Sequence, residues 1–216
     1  MGPEDLSLAA VVAGVDVEPV LERMHPIKGW FSDAEARLLL NVVCCALTEL
    51  SDGHAVVEVG AYEGRSTVVL ASAVQALRLG GRLVSVDPHE GVISLSGRPD
   101  QHGSPTYAAF CRNLNNTGLR QFVDIRRTYS TEVPWTRPIG LLFIDGLHDY
   151  RSVRGDYDHF APWVPPGGYV AFHDYSANFP DVVTCVEEIR HQGCFAVCEV
   201  EGDLIVLRRR TAGGPT

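Results

Sequence analysis

At 216 residues and 45% apolar content the chain is sized for one domain whose core needs neither disulfides nor a structural metal, and its 21% charged content excludes a disordered tract. A net charge of −9, with the only dense basic run at Arg208, Arg209 and Arg210, argues against nucleic acid as a partner. No apolar run reaches the roughly 18 residues of a membrane span, and the acids in MGPEDLSLAAVVAGV do not suit a secretory signal, so a cytoplasmic protein without membrane contact is expected.

Residues 33–50 place apolar side chains at helical spacing behind an S-x-x-E capping box, Ser32 with Glu35, so a helical region over 1–50 precedes the sheet as part of the same domain. AVVEVG (55–60) reads as a strand, 65–77 as a helix and RLVSVD (82–87) as a strand, together a βαβ unit. A loop rich in Gly, Ser and Pro covers 89–105, followed by a helix at 106–117 and a strand at 122–128. GLLFID (140–145), a helix at 150–163 and GYVAFHD (168–174) come next. These strands are apolar until they end in acids, as parallel strands covered on both faces are. After a helix at 181–192, the runs 194–200 and 203–209 are separated only by Glu201 and Gly202, which forces an antiparallel pair. The core therefore spans 51–210, and 211–216 is a flexible tail. The fold class is α/β: a Rossmann-like, doubly wound, mostly parallel sheet of seven strands with an antiparallel C-terminal hairpin strand. Cys44, Cys45, Cys111, Cys185, Cys194 and Cys198 contain no C-x-x-C spacing and read as reduced thiols.

In an open α/β sheet, ligands bind beyond the carboxyl ends of the strands. The first strand ends in EVGAYEGRS (58–66), where Gly60 and Gly64 permit a tight turn and close approach to a ligand, although any βα turn tolerates two glycines. Asp87 ends the second strand where such folds place an acid on ribose hydroxyls; a turn-forming acid before Pro88 is the alternative. The fourth strand ends at Asp145 and the fifth at His173 and Asp174. Two carboxylates and an imidazole brought together by adjacent strands suit a divalent cation, while His148, three residues beyond Asp145, is placed to take a substrate proton. Helix capping and solvation are the competing explanations for these groups. Asp149 and Asp156 read as solvated or capping acids, and His89, Glu90 and His102 as parts of a polar loop at 89–104 that closes over the substrate.

VEVGAYEGRSTVVLA, SVDPHEG, LLFIDGLHDY and PPGGYVAFHDY together resemble class I S-adenosylmethionine-dependent methyltransferases, in particular the bacterial group related to macrocin O-methyltransferase and cephalosporin hydroxylase. The first segment is also similar to a loop of catechol O-methyltransferase. The resemblance, over about 28–200, implies that Glu58, Gly60, Ala61, Tyr62, Gly64 and Ser66 line the methionine and ribose side of S-adenosylmethionine. It further implies that Asp87 holds the ribose, that Ser130 borders the adenine and that Asp145 adjoins the cofactor. It places a metal on Asp145, His173 and Asp174, with His148 as base. His173 departs from the carboxylate more usual there, which leaves magnesium, manganese, iron and zinc all open.

The expected reaction is O-methylation of a small molecule such as a sugar or natural product, with Asp145 and His148 as the catalytic groups. A metal-dependent hydrolase using the Asp/His cluster and a non-catalytic cofactor-binding module are the alternatives, and a homo-oligomer stays open.

Overall fold

The structure is a computed structural model that describes residues 13–50, 53–79, 83–93 and 101–211, with backbone alone at 101 and 102. In chain order the elements are α1 (Val17–Met24), α2 (Asp33–Glu49), β1 (Ala55–Val59), α3 (Arg65–Ala76), β2 (Leu83–Val86), β3 (Val92–Ile93), β4 (Gln101–His102), α4 (Tyr107–Asn116), β5 (Val123–Arg126), β6 (Ile139–Ile144), α5 (Tyr150–Phe160), β7 (Tyr169–Phe172), α6 (Pro180–His191), β8 (Phe195–Glu201) and β9 (Leu204–Arg209).

Seven strands join in the order β5-β2-β1-β6-β7-β9-β8. β1 pairs in parallel with both β2 and β6, whereas β9 runs antiparallel to β7 and β8. The expected doubly wound sheet with an antiparallel end is therefore present. The chain first winds outward from β1 to β2 and β5, then returns to the other side of β1 for β6 and β7. A crevice opens beyond β1 and β6, where the winding reverses.

Alternation along each strand builds two apolar layers. Val56, Leu83, Leu141 and Phe143 face one layer with α1, α2, α3 and α4. Ala55, Val57, Val59, Leu142 and Ile144 face the other, with α5 and α6. Side chains such as Leu39, Val42 and Val43 of α2 are fully buried, each contributing about 1.5–3 kcal/mol relative to exposure.

The capping box forms as read: Ser32 Oγ accepts from the Glu35 amide at 3.3 Å, and Glu35 Oε2 accepts from the Ser32 amide at 2.8 Å. The helix expected over 150–163 ends at Phe160 and passes into a 3₁₀ turn, Ala161–Trp163, because Pro162 has no N–H to continue the α pattern. The loop expected over 89–105 contains a short antiparallel ribbon, Val92 opposite His102 and Ile93 opposite Gln101. Residues 94–100 of the proposed lid, the opening 1–12 and all but Thr211 of the expected tail lie outside the described residues. All six cysteines are free thiols, and no described helix is long and apolar enough to cross a membrane.

Candidate active site

Parallel pairing sets the site. Val59 lies opposite Ile144, and Ile144 opposite Phe172, so the residues that follow, Gly60, Asp145 and His173, emerge side by side. The ladder continues just past the strands: the Asp145 amide donates to the Val59 carbonyl at 2.8 Å, and the His173 amide to the Ile144 carbonyl at 3.0 Å. Gly60, at φ +84°, must lack a side chain, since a Cβ there would stand 2.1 Å from the Asp145 carbonyl oxygen.

The turn after β1 is drawn onto Asp87. Its Oδ2 accepts from the Ala61 and Tyr62 amides, both at 2.8 Å, and its Oδ1 from the His89 amide at 2.6 Å. Asp87 organises this turn, as the turn-forming reading expects, and it also lines the crevice. Glu58 is placed differently from the expectation that it lines the cofactor. It is fully buried beneath the turn and absent from the walls of both cavities described below. Its alternation with Val57 directs it toward α3, where Ser66 and Thr67 donate hydroxyls to it at 2.8 and 2.7 Å, and Ser85 of β2 donates a third at 2.6 Å.

Burial pushes the Glu58 carboxyl up to about 7 against those three hydroxyls. The folded state therefore binds this proton more tightly than the unfolded chain. The group's contribution to stability is fully present below its ordinary 4.5 and is lost as pH climbs through about 7, a change on the order of 3 kcal/mol. Glu58→Gln keeps the size and hydrogen-bonding capacity without the charge. It is expected to gain on the wild type between about pH 5 and about pH 8 in urea midpoints; an unchanged difference would refute the assignment.

Two cavities meet at the crevice. One, of about 500 Å³, is lined by Gly60, Asp87, Glu90, Ser130, Arg151 and Asp156 among others. The second, of about 340 Å³, holds Trp30, Phe31, Glu35, His148, His173 and Asp174. Tyr62, Val92, Asp145 and Gly146 border both, so an elongated ligand can lie across them with its middle at Asp145. Gly64 and Ser66 stand at the start of α3; Ser66 and Ala61 reach the second cavity, whereas Gly64 borders neither.

The polar cluster differs in arrangement from the expected metal set. Ligand atoms of Asp145, His148 and Asp174 lie within 4.8 Å of one another; His148, not His173, is the imidazole in that group. His148 Nε2 is 2.8 Å from Asp174 Oδ2, and its ring packs on Phe179 with centroids 4.4 Å apart. His173 sits behind, its Nδ1 3.1 Å from Asp145 Oδ1 and 3.0 Å from Asp174 Oδ2. Burial opposes charge on His173, but Asp145, Asp174 and Glu35 outweigh it and hold the imidazole protonated far above its ordinary range. Asp145 is raised by burial, opposed by His173. Asp174 is also penalised by burial, yet hydrogen bonds from His148 and His173 carry it well below the carboxylate range. Asp174 adopts φ +59°, a left-handed turn that brings its side chain back across the strand end.

Several residues escaped the sequence reading. Asp156 is not a solvated acid: it is buried, accepts a hydrogen bond from Ser130 Oγ and faces the larger cavity, and burial lifts its carboxyl to about 6. Asp149, by contrast, caps α5, accepting from the Ser152 amide at 3.1 Å. His89 is likewise no flexible loop residue. It is buried against Phe110 and bonded to Thr106 Oγ1 at 2.9 Å, which anchors the start of the expected loop. Arg65 binds the carbonyls of Phe31 and Ile27, each at 2.8 Å, and so clamps the segment between α1 and α2 onto the cavity wall. Only the Ser32 and Glu35 cap signalled in the sequence that this N-terminal segment had a fixed place.

Residues 57–175 match the family described as a methyltransferase domain. Among curated relatives, the uncharacterized protein R132 of Acanthamoeba polyphaga mimivirus is 26% identical over 135 residues, 62% of this chain and 58% of that protein. The solved structure of the O-methyltransferase NovP aligns over 96% of this chain and all of that one, with TM-score 0.74 and 15% identity. The apo structure of CalS11, a TDP-rhamnose 3'-O-methyltransferase of calicheamicin biosynthesis, covers 94% of this chain and 91% of that one, with TM-score 0.60 and 14% identity. At these identities the two structures share the fold with this chain.

Proposed function

The chain belongs to the methyltransferase-domain family, and on that premise we propose that it is a class I S-adenosylmethionine-dependent enzyme that methylates a hydroxyl of a small molecule such as a sugar or natural product. The observation that carries this reading is the meeting of the two cavities at Asp145, with His148 and Asp174 on the acceptor side. The hydrolase alternative falls with the family match.

The larger cavity suits the nucleoside, with Asp87 and Glu90 near the ribose and Ser130 and Asp156 toward the base. The Gly60–Ser66 turn suits the amino-acid end. When bound, the donor supplies an electrophilic methyl group on a sulfonium, so the protein's remaining work is to align an acceptor oxygen and remove its proton. His148 takes the acceptor's proton, and Asp174 Oδ2, 2.8 Å from its Nε2, stabilises the imidazolium that forms.

The close approach of Asp145, His148 and Asp174 supports a second reading, in which they hold a divalent cation. The donor set fits: two carboxylates and an imidazole suit manganese, iron or zinc, and magnesium less well. Such an ion supplies Lewis acidity to the acceptor oxygen. The readings differ in what His148 does, accepting a proton in the first and ligating an ion in the second.

The direct test is calorimetry with S-adenosylmethionine followed by an acceptor panel of sugar nucleotides, glycosides and catechols, monitored by methyl transfer. Saturable donor binding that weakens at least about tenfold in Asp87→Ala, which removes the acceptor of three amides, is expected. Unaltered affinity in that variant would remove the assignment of the larger cavity to the nucleoside.

A further inference from the structure

The carboxylate of Glu35 gathers four groups from separate parts of the chain. Oε2 accepts from the Ser32 amide at 2.8 Å and the Ser32 hydroxyl at 2.7 Å, which closes the α2 cap. Oε1 accepts from the Asp203 amide at 2.8 Å, at the turn between β8 and β9, and lies 3.5 Å from His173 Nε2. Gly202 leaves room for this arrangement, since a Cβ there would meet Glu35 Oε1 at 2.7 Å. Both partners are buried, Glu35 at 4% exposure and His173 at 6%.

A capping box needs only the Ser32 contacts. The other oxygen of Glu35 is turned to the back of an imidazole whose front touches the two carboxylates of the active site, and the Phe31 ring packs on that imidazole with centroids 5.3 Å apart. His173 is thus held between Glu35 on one side and Asp145 with Asp174 on the other. We infer that Glu35 is a positioning residue for the methyl-transfer site: it orients the His173 ring, and through it sets the Asp145 and Asp174 carboxylates that face the acceptor. This rests on the assignment of that site in the proposed function. The physical reason is that Asp145 and Asp174 hold Nδ1 alone, while the Glu35 carboxylate, 3.5 Å from Nε2, attracts the opposite edge of the charged ring as an ion pair and so biases its χ2. Helix α2 is in this way part of the active-site frame.

Two variants separate positioning from capping. Glu35→Gln keeps the shape and an acceptor oxygen but removes the charge facing His173. Ser32→Ala breaks the side-chain cap and leaves the Glu35 carboxylate in place. The measurement is the ring ¹⁵N spectrum of histidine-labelled full-length protein saturated with S-adenosylhomocysteine, alongside thermal unfolding and, once an acceptor is known, steady-state kinetics. Glu35→Gln is expected to shift the His173 ring resonances and to lower kcat about tenfold with little change in donor affinity. Ser32→Ala is expected to lower the unfolding midpoint by about 2–4 °C and leave those resonances in place. An unshifted His173 spectrum in Glu35→Gln overturns the inference, as does an equal shift in both variants, which would reduce Glu35 to a cap. Calorimetry on the same samples reports donor binding separately, so a failure of the functional reading is seen as lost S-adenosylhomocysteine affinity in the wild type.

Discussion

Gly60→Ala is expected to destabilise the protein by about 4 kcal/mol or more and to abolish donor binding. Its φ of +84° alone costs a non-glycine residue roughly 1–2 kcal/mol. The greater part comes from position: the added carbon would stand 2.1 Å from the Asp145 carbonyl oxygen and 2.7 Å from the Gly146 Cα. Neither neighbour is a flexible side chain. Asp145 is tied by its amide to Val59, and Gly60 by its own to the Val86 carbonyl at 2.9 Å, so relief requires prising apart β1 and β6 where the site begins. Gly64→Ala makes the control. Its φ is also positive, at +93°, but the new methyl would meet the edge of the Phe110 ring at 3.0 Å, a side chain rather than backbone; a loss of about 1–2 kcal/mol is expected. Urea unfolding and calorimetry on both variants check the ranking. A Gly60→Ala protein that folds with near-wild-type stability and binds the donor would show that the two strand ends are not packed as described.

The sheet was readable because each of its signals was local. Strands such as GLLFID and GYVAFHD are continuous apolar runs that stop at an acid, and the two-residue gap at Glu201 and Gly202 admits only a hairpin. The residues that end those strands could be listed for the same reason, since parallel pairing places them together whatever the loops do. Which of them touch was not readable. His148 follows the acid that ends β6 by three positions and His173 directly precedes Asp174 at the end of β7, but the left-handed turn at Asp174 and the ring of Phe179 decide which imidazole meets which carboxylate. Contacts between residues far apart in sequence were invisible for a like reason. Asp156 reaches Ser130 across 26 positions, and Asp203 reaches Glu35 across 168. Glu58 illustrates a further limit. A motif locates an acid at a strand end, while the alternation of the strand determines whether its carboxylate meets ligand or three hydroxyls of its own fold.

His148→Ala is expected to lower kcat by about 10² to 10⁴ while leaving the affinity for S-adenosylmethionine within a few-fold of wild type. The separation follows from placement. His148 lies in the smaller cavity against Phe179 and Asp174, away from the nucleoside end, so its loss removes proton transfer and leaves the glycine turn and Asp87 as they are. Raising the pH restores turnover only in part, because bulk hydroxide lacks the position of a held base. Excess chelator on the wild type, with elemental analysis of both proteins, then tells the two readings of the cluster apart. If His148 is the base and its partner is Asp174 alone, chelator leaves turnover intact, and Asp174→Asn lowers kcat because the imidazolium formed on proton transfer loses its stabilising carboxylate. If the three side chains instead hold an ion, the wild type carries it and chelator stops turnover. His148→Ala and Asp145→Asn then lose both together. The outcome that would remove His148 from the chemistry under either reading is full turnover in His148→Ala with the donor bound and chelator present.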